Sequence, residues 1–500
     1  MKKNNSIFII VLAALGILGA CNQDFLDIKP KGSLDEGVLA NEKGINTLLV
    51  GAYSLLDGVS SQFGWESASS NWVYGDIRGM VGNKGTDSGD QPDINPLQSF
   101  SETSTNPYLN TKWRQVYEAV SRCNSAIKVT AKALAANAIT AEQADSYTRQ
   151  ARALRGWYHF EAWRMWEKIP YVDEKTDQTK LTNDPDVKAL IIADLEQGIT
   201  LPNDMKQIGR FNGTVCNVLL AKAKMQMNKD YAGALPLLNT AKTGTNPKGE
   251  AIGLATTYGE IFDIANRNAK EAVYTVQYSV NDGSGAWNGG WGEVLNFPYK
   301  GNGGSPGGCC GFFQATQEFV NSFRTTAAGL PMLDYAYNTG ADLRDVGIPG
   351  GDVWSATNKD GTPKKYAKNA GVTVYNPAQP FKDLGYKSLI DDNAGNNPLT
   401  SPAAWQLVWT EDNSRPVDPR LDWTVGRRGI PYWDWGVHTG SDWIRDQSYA
   451  GPYSPKKQVY KKSQEGQYTE VGNWTSGWTA NGYRMIRYAD ILLMIAECQI

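Results

Sequence analysis

The sequence predicts a mainly α-helical protein, in which a diverged tetratricopeptide-type helical scaffold carries a large loop-rich subdomain. Three observations predict it. Apolar residues recur at helical spacing in most segments from Val38 to about residue 240. From about Gly253 that periodicity gives way to glycine, turn residues and aromatics, with 11 glycines between residues 283 and 311. Helical patterning then returns from Arg484 to Glu497. The expected divisions are a leader over 1–20, a helical scaffold over 21–250, a loop-rich aromatic subdomain over 251–480, and from 481 to 500 the start of a helix returning to the scaffold.

The first helix is expected from Val38 to Leu56, with Ile45, Leu48, Leu49, Ala52, Tyr53 and Leu56 on its apolar face and Gly58 ending it. A second runs from Tyr108 or Thr111 to about Ala136, with Trp113, Val116, Tyr117, Val120, Cys123, Asn124 and Ile127 along one side. Thr140 and Gln143 form a capping-box pattern that opens a third. Its stripe includes Leu154, Trp157, Tyr158, Glu161 and Met165, and Pro170 stops it. Asp184-Pro185 begins a fourth helix that ends near Gly198. Gly213-Thr214 opens a fifth, Val215 to Asn228, and Asp230 starts a sixth carrying Tyr231, Ala234, Leu237 and Leu238.

Helices of this length on short turns suggest antiparallel stacked pairs, although no strict 34-residue repeat is visible and any repeats are diverged. Beyond Gly253 only short helical or extended pieces are expected, such as Glu271 to Val280 and Thr316 to Phe323. That stretch is too long for a single loop and should pack as a subdomain on the helices. The last helix reaches Ile500 with no stop signal, so the chain is expected to continue in a longer protein.

At the other end, Lys2 and Lys3 precede an apolar run from Ile7 to Leu18, which closes on Leu18-Gly19-Ala20-Cys21. Twelve apolar residues are too few to span a bilayer core of roughly 30 Å, and the small residues before Cys21 suit a lipoprotein signal peptidase. The expectation is an acylated Cys21 that holds the protein at a bacterial membrane outside the cytoplasm; several acyl chains anchor stably where one does not.

A net charge of −3 gives no field to attract nucleic acid. The lysines Lys456, Lys457, Lys461 and Lys462 read as a solvated edge. Beyond Cys21, five cysteines remain, which excludes a dense disulfide framework. Cys123, Cys216 and Cys498 sit in apolar helical segments as small hydrophobes. The adjacent Cys309 and Cys310 either close a strained ring or stay as thiols.

The pattern lacks the signatures of common catalysis. His159 and His438 make no zinc site with the cysteines at any recognised spacing, and His159 reads as a packed helix residue. No phosphate loop, nucleophile elbow or zinc helix is present. Neither catalytic residues, nor a cofactor, nor a metal site is assigned. Asp87, Asp90, Asp93 and Asn95 offer oxygens to a hard cation but lack the calcium-loop pattern.

Aromatics beside short polar residues stand out instead, in a chain with 17 tryptophans. A sugar ring lays its C–H face on indole or phenol while its hydroxyls seek amides, carboxylates and guanidinium groups. Three stretches supply that mixture: Trp65, Asn71, Trp72, Tyr74, Asp76 and Arg78; then Trp287, Asn288, Trp291, Asn296, Phe297 and Tyr299; then Tyr432, Trp433, Asp434, Trp435 and Trp443. The competing reading is that the aromatics pin long loops to the body.

Several of these segments together resemble the SusD/RagB family of nutrient-capturing surface lipoproteins of Bacteroidetes. Cys21 with Asp24-Phe25-Leu26-Asp27 and Pro30 is similar to its N-terminal signature, and Trp113 to Ile127 and Arg152 to Tyr158 to two of its helices. Gly209-Arg210-Phe211, Asp418-Pro419-Arg420-Leu421-Asp422 and Arg487 to Leu493 with Ala496-Glu497 are similar to further hallmarks. These motifs read as scaffold, with the arginines pairing to carboxylates between helices.

The resemblance implies a helical face opposite a loop-rich face, and a SusC-like TonB-dependent outer-membrane barrel as partner. It implies a non-enzymatic, surface-exposed protein that binds an oligo- or polysaccharide against the first two aromatic stretches and passes it to that barrel. A peptide-uptake protein of the same fold and a surface glycosidase are the alternatives.

Overall fold

The computed structural model describes residues 36–500 except 59–63, 184–185, 286, 291–295, 300–305, 307–310, 428–429, 437, 439, 447 and 471–477; between 340 and 415 it describes only the backbone of four short strands. Expectations for the leader, Cys21, Trp291, Cys309 and Cys310 therefore lie outside the described residues.

Helix α1 spans Glu42–Tyr53 and starts later than its apolar pattern, because Asn41 turns the chain and its side chain accepts from the Gly44 N–H. Helix α2 is Pro107–Ala135, with Asn106 as cap and proline in the first turn, where a missing N–H costs nothing. Helix α3 is Ala141–Trp166, and Thr140 and Gln143 form the reciprocal capping box. It stops before Pro170, at Glu167, whose φ of 55° lies in the left-handed region. Helix α4 covers only Lys188–Glu196 and continues as a 3-10 turn over Gln197–Thr200. Helices α5, Gly213–Asn228, and α6, Tyr231–Lys242, are capped by Asn212 and Asp230.

Contacts between α2 and α3 fix their direction. Trp113 meets Trp166 with ring centroids 5.0 Å apart, Tyr117 lies against His159, and Asn124 accepts from Arg155, so α2 and α3 run antiparallel. Asp194 of α4, fully buried, accepts from Arg155 at 2.7 and 2.8 Å, from Arg152 at 2.8 Å and from the Tyr171 hydroxyl at 2.8 Å. The arginine motif is thus an interhelical clamp. His159 sits inside it, accepting from the Val172 N–H at 3.1 Å, and burial holds its pKa down to about 4, so it is a neutral core residue at pH 7. Cys123 and Cys216 are buried thiols in the same core, and Cys498 is half-buried at its edge.

The end of the chain departs from the helical expectation. Tyr483–Arg487 is a strand, and the helix, α7, begins at Tyr488 and ends at Gln499. Arg484 and Ile486 are buried while Tyr483, Met485 and Arg487 are half-buried, a period of two that a short apolar segment hides inside a longer helical pattern. Naming strands β1 Gly82–Lys84, β2 Ala272–Val276, β3 Phe313–Ala315 and β4 Tyr483–Arg487, the structure pairs β4 antiparallel with β2 and β1 antiparallel with β3. Val273, Tyr274, Val276 and Ile486 pack into the same core as α2, α3 and α5, which ties the second half of the chain to the helices. α7 lies beside α6. Gln317–Asn321 is a short helix capped by Thr316.

The basic cluster departs too. Lys456 is buried and donates to the Asp422 and Pro431 carbonyls at 2.7 Å, Lys461 pairs with Asp263, and Lys457 faces an open cavity. Among the described residues no helix is long and apolar enough to cross a membrane.

Candidate functional site

A cavity of about 960 Å³ opens where the helices meet the loop-rich half. That is the upper end of the range for small-molecule sites, roughly 300–1,000 Å³. Its walls come from the end of α1 (Tyr53 to Gly58), from Ser69 to Asp76, from the residues after β2 (Gln277 to Ser279), from the loop carrying Trp287 and Asn288, from Lys457 and Gln458, and from β4.

Local chemistry explains how these parts are held. The chain after Ser69 forms a π-helical turn, Val73–Ile77, whose Val73 and Ile77 are buried with Trp65, Ile94, Leu97 and Tyr108; this leaves Asp76 turned to the cavity. On the glycine-rich loop, the Ser279 N–H donates to the Asn288 carbonyl at 2.7 Å and Asn288 Nδ2 donates to Asp282 at 2.8 Å. That anchors the loop and leaves Trp287 58% exposed, the most exposed tryptophan among the described residues.

The polar wall is a connected network. Asp57 hydrogen-bonds Tyr278, whose hydroxyl lies 2.5 Å from Ser69 Oγ. Burial pushes the Asp57 carboxyl up to about 8. Burial also raises Asp76, to about 6, with Lys457 opposing the rise. Lys457 Nζ sits over the Phe262 ring at 4.8 Å and the Tyr258 ring at 5.6 Å. A mainly protonated Asp57, an ionised Asp76, hydroxyls and amides around an exposed indole suit a polyhydroxylated ligand, which needs many directional partners and one flat apolar face.

The sequence candidates divide. Trp72, Asp76, Trp287, Asn288 and Asn296 line the cavity. Trp72, however, is only 5% exposed and meets Phe313 edge-on at 6.2 Å, so it is wall rather than a flat platform. The others are structural. Trp65 is buried 5.4 Å from Phe312. Asn71 donates to Glu161 at 2.7 Å, the Tyr74 hydroxyl lies 2.7 Å from the Glu66 and Tyr108 carbonyls, and Arg78 pairs with Glu102. Phe297 is fully buried beside Tyr460, and Tyr299 lies under the Arg445 guanidinium at 4.9 Å.

The third stretch pins loops. Tyr432 and Trp443 are buried, Trp433 Nε1 donates to the Lys456 carbonyl at 3.1 Å, and Trp435 Nε1 to the Tyr460 carbonyl at 2.7 Å. In the 87–95 loop, Asp87 and Asp90 are already paired with Arg445, at 3.1 and 2.8 Å. Among the described residues no group of three or more His, Cys, Asp or Glu is arranged to hold a metal. Sequence reasoning missed Asp57, Tyr278, Lys457 and Arg210 as cavity residues, because nothing in their neighbours' pattern marks the face they share.

The fold and cavity define a helical scaffold protein with an open site lined by aromatic and polar side chains. A family model described as the SusD family matches residues 270–500. SusD-like protein P38 of Formosa agariphila is 26% identical over 174 residues, which is 34% of this chain and 30% of that protein. The chain thus matches less than a third of that relative's length.

Among solved structures, surface glycan-binding protein A from Bacteroides thetaiotaomicron superposes with a TM-score of 0.55 at 18% identity, over 92% of this chain and 79% of that one. A laminarin-binding SusD-like protein gives 0.51 at 16% identity over 92% and 80%, and a SusD superfamily protein from Bacteroides vulgatus 0.54 at 15% over 92% and 76%. These likenesses establish the fold, and over residues 270–500 the chain matches the SusD family model.

Proposed function

We propose that this protein is a cell-surface glycan-binding protein that takes an oligosaccharide in the cavity and releases it to a SusC-like TonB-dependent barrel. The observation that carries the reading is Trp287, an indole exposed on a tethered loop at the cavity, with Asn288, Asp76 and Gln277 among the lining groups to meet hydroxyls. The relatives of like fold described as surface glycan-binding and laminarin-binding support it. Lipidation at Cys21 and a place on the outer membrane complete the proposal, since a captor of large glycans has to work outside the barrel.

Exposed stacking is weak and cargo must leave, so affinity belongs between micromolar and millimolar, about −4 to −8 kcal/mol. The test is calorimetric titration of a panel of soluble oligosaccharides and of peptides against the wild type and Trp287→Ala. Saturable glycan binding that weakens in the variant supports the proposal. Binding of peptides alone would transfer the protein to the peptide-uptake reading, and new reducing ends in the glycan incubations would make it a hydrolase.

A further inference from the structure

The charges around the cavity are unequal. Its lining includes five cationic side chains, Arg122, Arg210, Lys457, Arg484 and Arg487, and two carboxylic acids, Asp57 and Asp76. Part of the positive charge is cancelled within the wall: Arg122 pairs with Glu118 at 2.9 Å, and Arg487 with Glu271 at 3.2 Å. Arg484 is committed to Gln458, Asn481 and the Gly482 and Asp263 carbonyls. Two cations are different.

Arg210 is 6% exposed, and its guanidinium is held by neutral groups only: Gln207 at 3.0 Å, Asn46 at 2.5 Å and the Tyr53 ring at 5.2 Å. Its third nitrogen, Nη1, has no hydrogen-bond partner. Lys457 is half-buried and leans on the Phe262 and Tyr258 rings. Among the described residues neither Arg210 nor Lys457 has a carboxylate within 4 Å. Asp76 acts on Lys457 only from beyond that distance.

A positive charge without a counter-ion in a partly desolvated wall is costly, and its field on a ligand is stronger than it would be in water. Of the two acids, burial leaves Asp57 largely uncharged at pH 7, while Asp76, raised only to about 6, is mostly ionised there, so a single carboxylate charge stands against Arg210 and Lys457. A neutral sugar gains nothing from that field. A sugar bearing a carboxylate or sulfate ester gains Coulomb energy from both cations, and Lys457 can meet it directly as an ammonium donor.

We propose, resting on the glycan-binding reading above, that the cavity selects anionic saccharides, with Lys457 as the contacting cation and Arg210 supplying positive potential from behind the wall. The test uses matched pairs of soluble oligosaccharides: oligogalacturonate against its carboxyl-reduced neutral form, and carrageenan oligosaccharides before and after desulfation. Titrations are run on the folded protein at 50 and 300 mM salt.

The expected result is at least tenfold tighter binding of the charged member of one pair, with that advantage shrinking at high salt. The pair that shows it distinguishes uronate from sulfate. Lys457→Gln, which keeps a donor at a half-exposed position, should erase most of the advantage without changing the melting temperature. Equal or tighter binding of the neutral members, or an advantage that salt and Lys457→Gln both leave intact, overturns the anionic selectivity while the glycan-binding function stands. Saturable binding of peptides and of no glycan, neutral or charged, fails the underlying function itself.

Discussion

Two tryptophans that look alike in the sequence, each beside short polar residues, have opposite environments. Trp287 is 58% exposed and Trp65 8%. Trp287→Ala should leave thermal unfolding nearly unchanged while weakening oligosaccharide binding by about 1–3 kcal/mol, if sugar stacking resembles base stacking on aromatics. Trp65→Ala should cost roughly 3–5 kcal/mol of stability, because it empties a cluster that also holds Phe312 and Tyr108. Calorimetric melting and binding on both variants check the pair, and a large stability loss at Trp287 would make that indole a loop anchor. The aromatic-plus-polar signal could not rank its members by exposure. Burial is decided by distant partners, as Phe312 does for Trp65 and Phe313 for Trp72.

At the scale of elements, periodicity located the helices of the first half, and the Thr140–Gln143 pattern and Asp230 marked two of their starts. Asn41, Asn106, Thr140, Asn212 and Asp230 each accept from a backbone N–H in the first turn, which is the chemistry that makes such residues start helices. What joins the helices is less visible locally. Asp194 bonds Arg152, Arg155 and Tyr171 in the core. Asp194→Ala should therefore destabilise the protein by about 3–5 kcal/mol, since it strands a buried guanidinium, whereas Asp194→Asn, which keeps acceptors, should cost less. Urea unfolding of the two variants measures the difference; equal losses would show that shape rather than charge matters at that point. Strand β4 was misread as helix because its pairing partner, β2, lies more than 200 residues earlier in the chain.

For the whole molecule, the cavity acids link folding to pH. Asp57 is raised to about 8, against an ordinary carboxylate near 4. Between those values the native state keeps a proton that the unfolded chain has released. The contribution of this group is then complete below about pH 4 and declines as pH rises toward about 8. Asp57→Asn has no such proton, so its stability relative to the wild type should climb across that window and level off above it. The slope should stay below about 1.4 kcal/mol per pH unit, because Asp57 is half-buried at an open cavity and solvent softens the effect. Chemical denaturation from pH 5 to 9 tests it, and a constant difference would place an ordinary, solvated acid there. A separate whole-molecule prediction concerns the proposed anchor: Cys21→Ala, expressed without the proposed partner barrel, should be found in the soluble fraction and the wild type in the membrane, and retention of the variant in membranes would refute lipid anchoring.

The amino-acid sequence by itself determined the helical first half, the caps at Thr140 and Asp230, the change of character near Gly253, and a family resemblance carried by scaffold motifs such as the Arg152–Arg155 clamp. Those are properties of neighbours three to seven residues apart, where hydrogen-bond periodicity, capping and turn chemistry act directly. Only the tertiary structure decided which aromatics are wall, core or platform, and that Asp57, Asp76, Tyr278, Arg210 and Lys457 share one cavity. Those residues lie as much as 400 positions apart, and what brings them together is the packing of β2 and β4 onto the helical core, a long-range burial that no local pattern encodes.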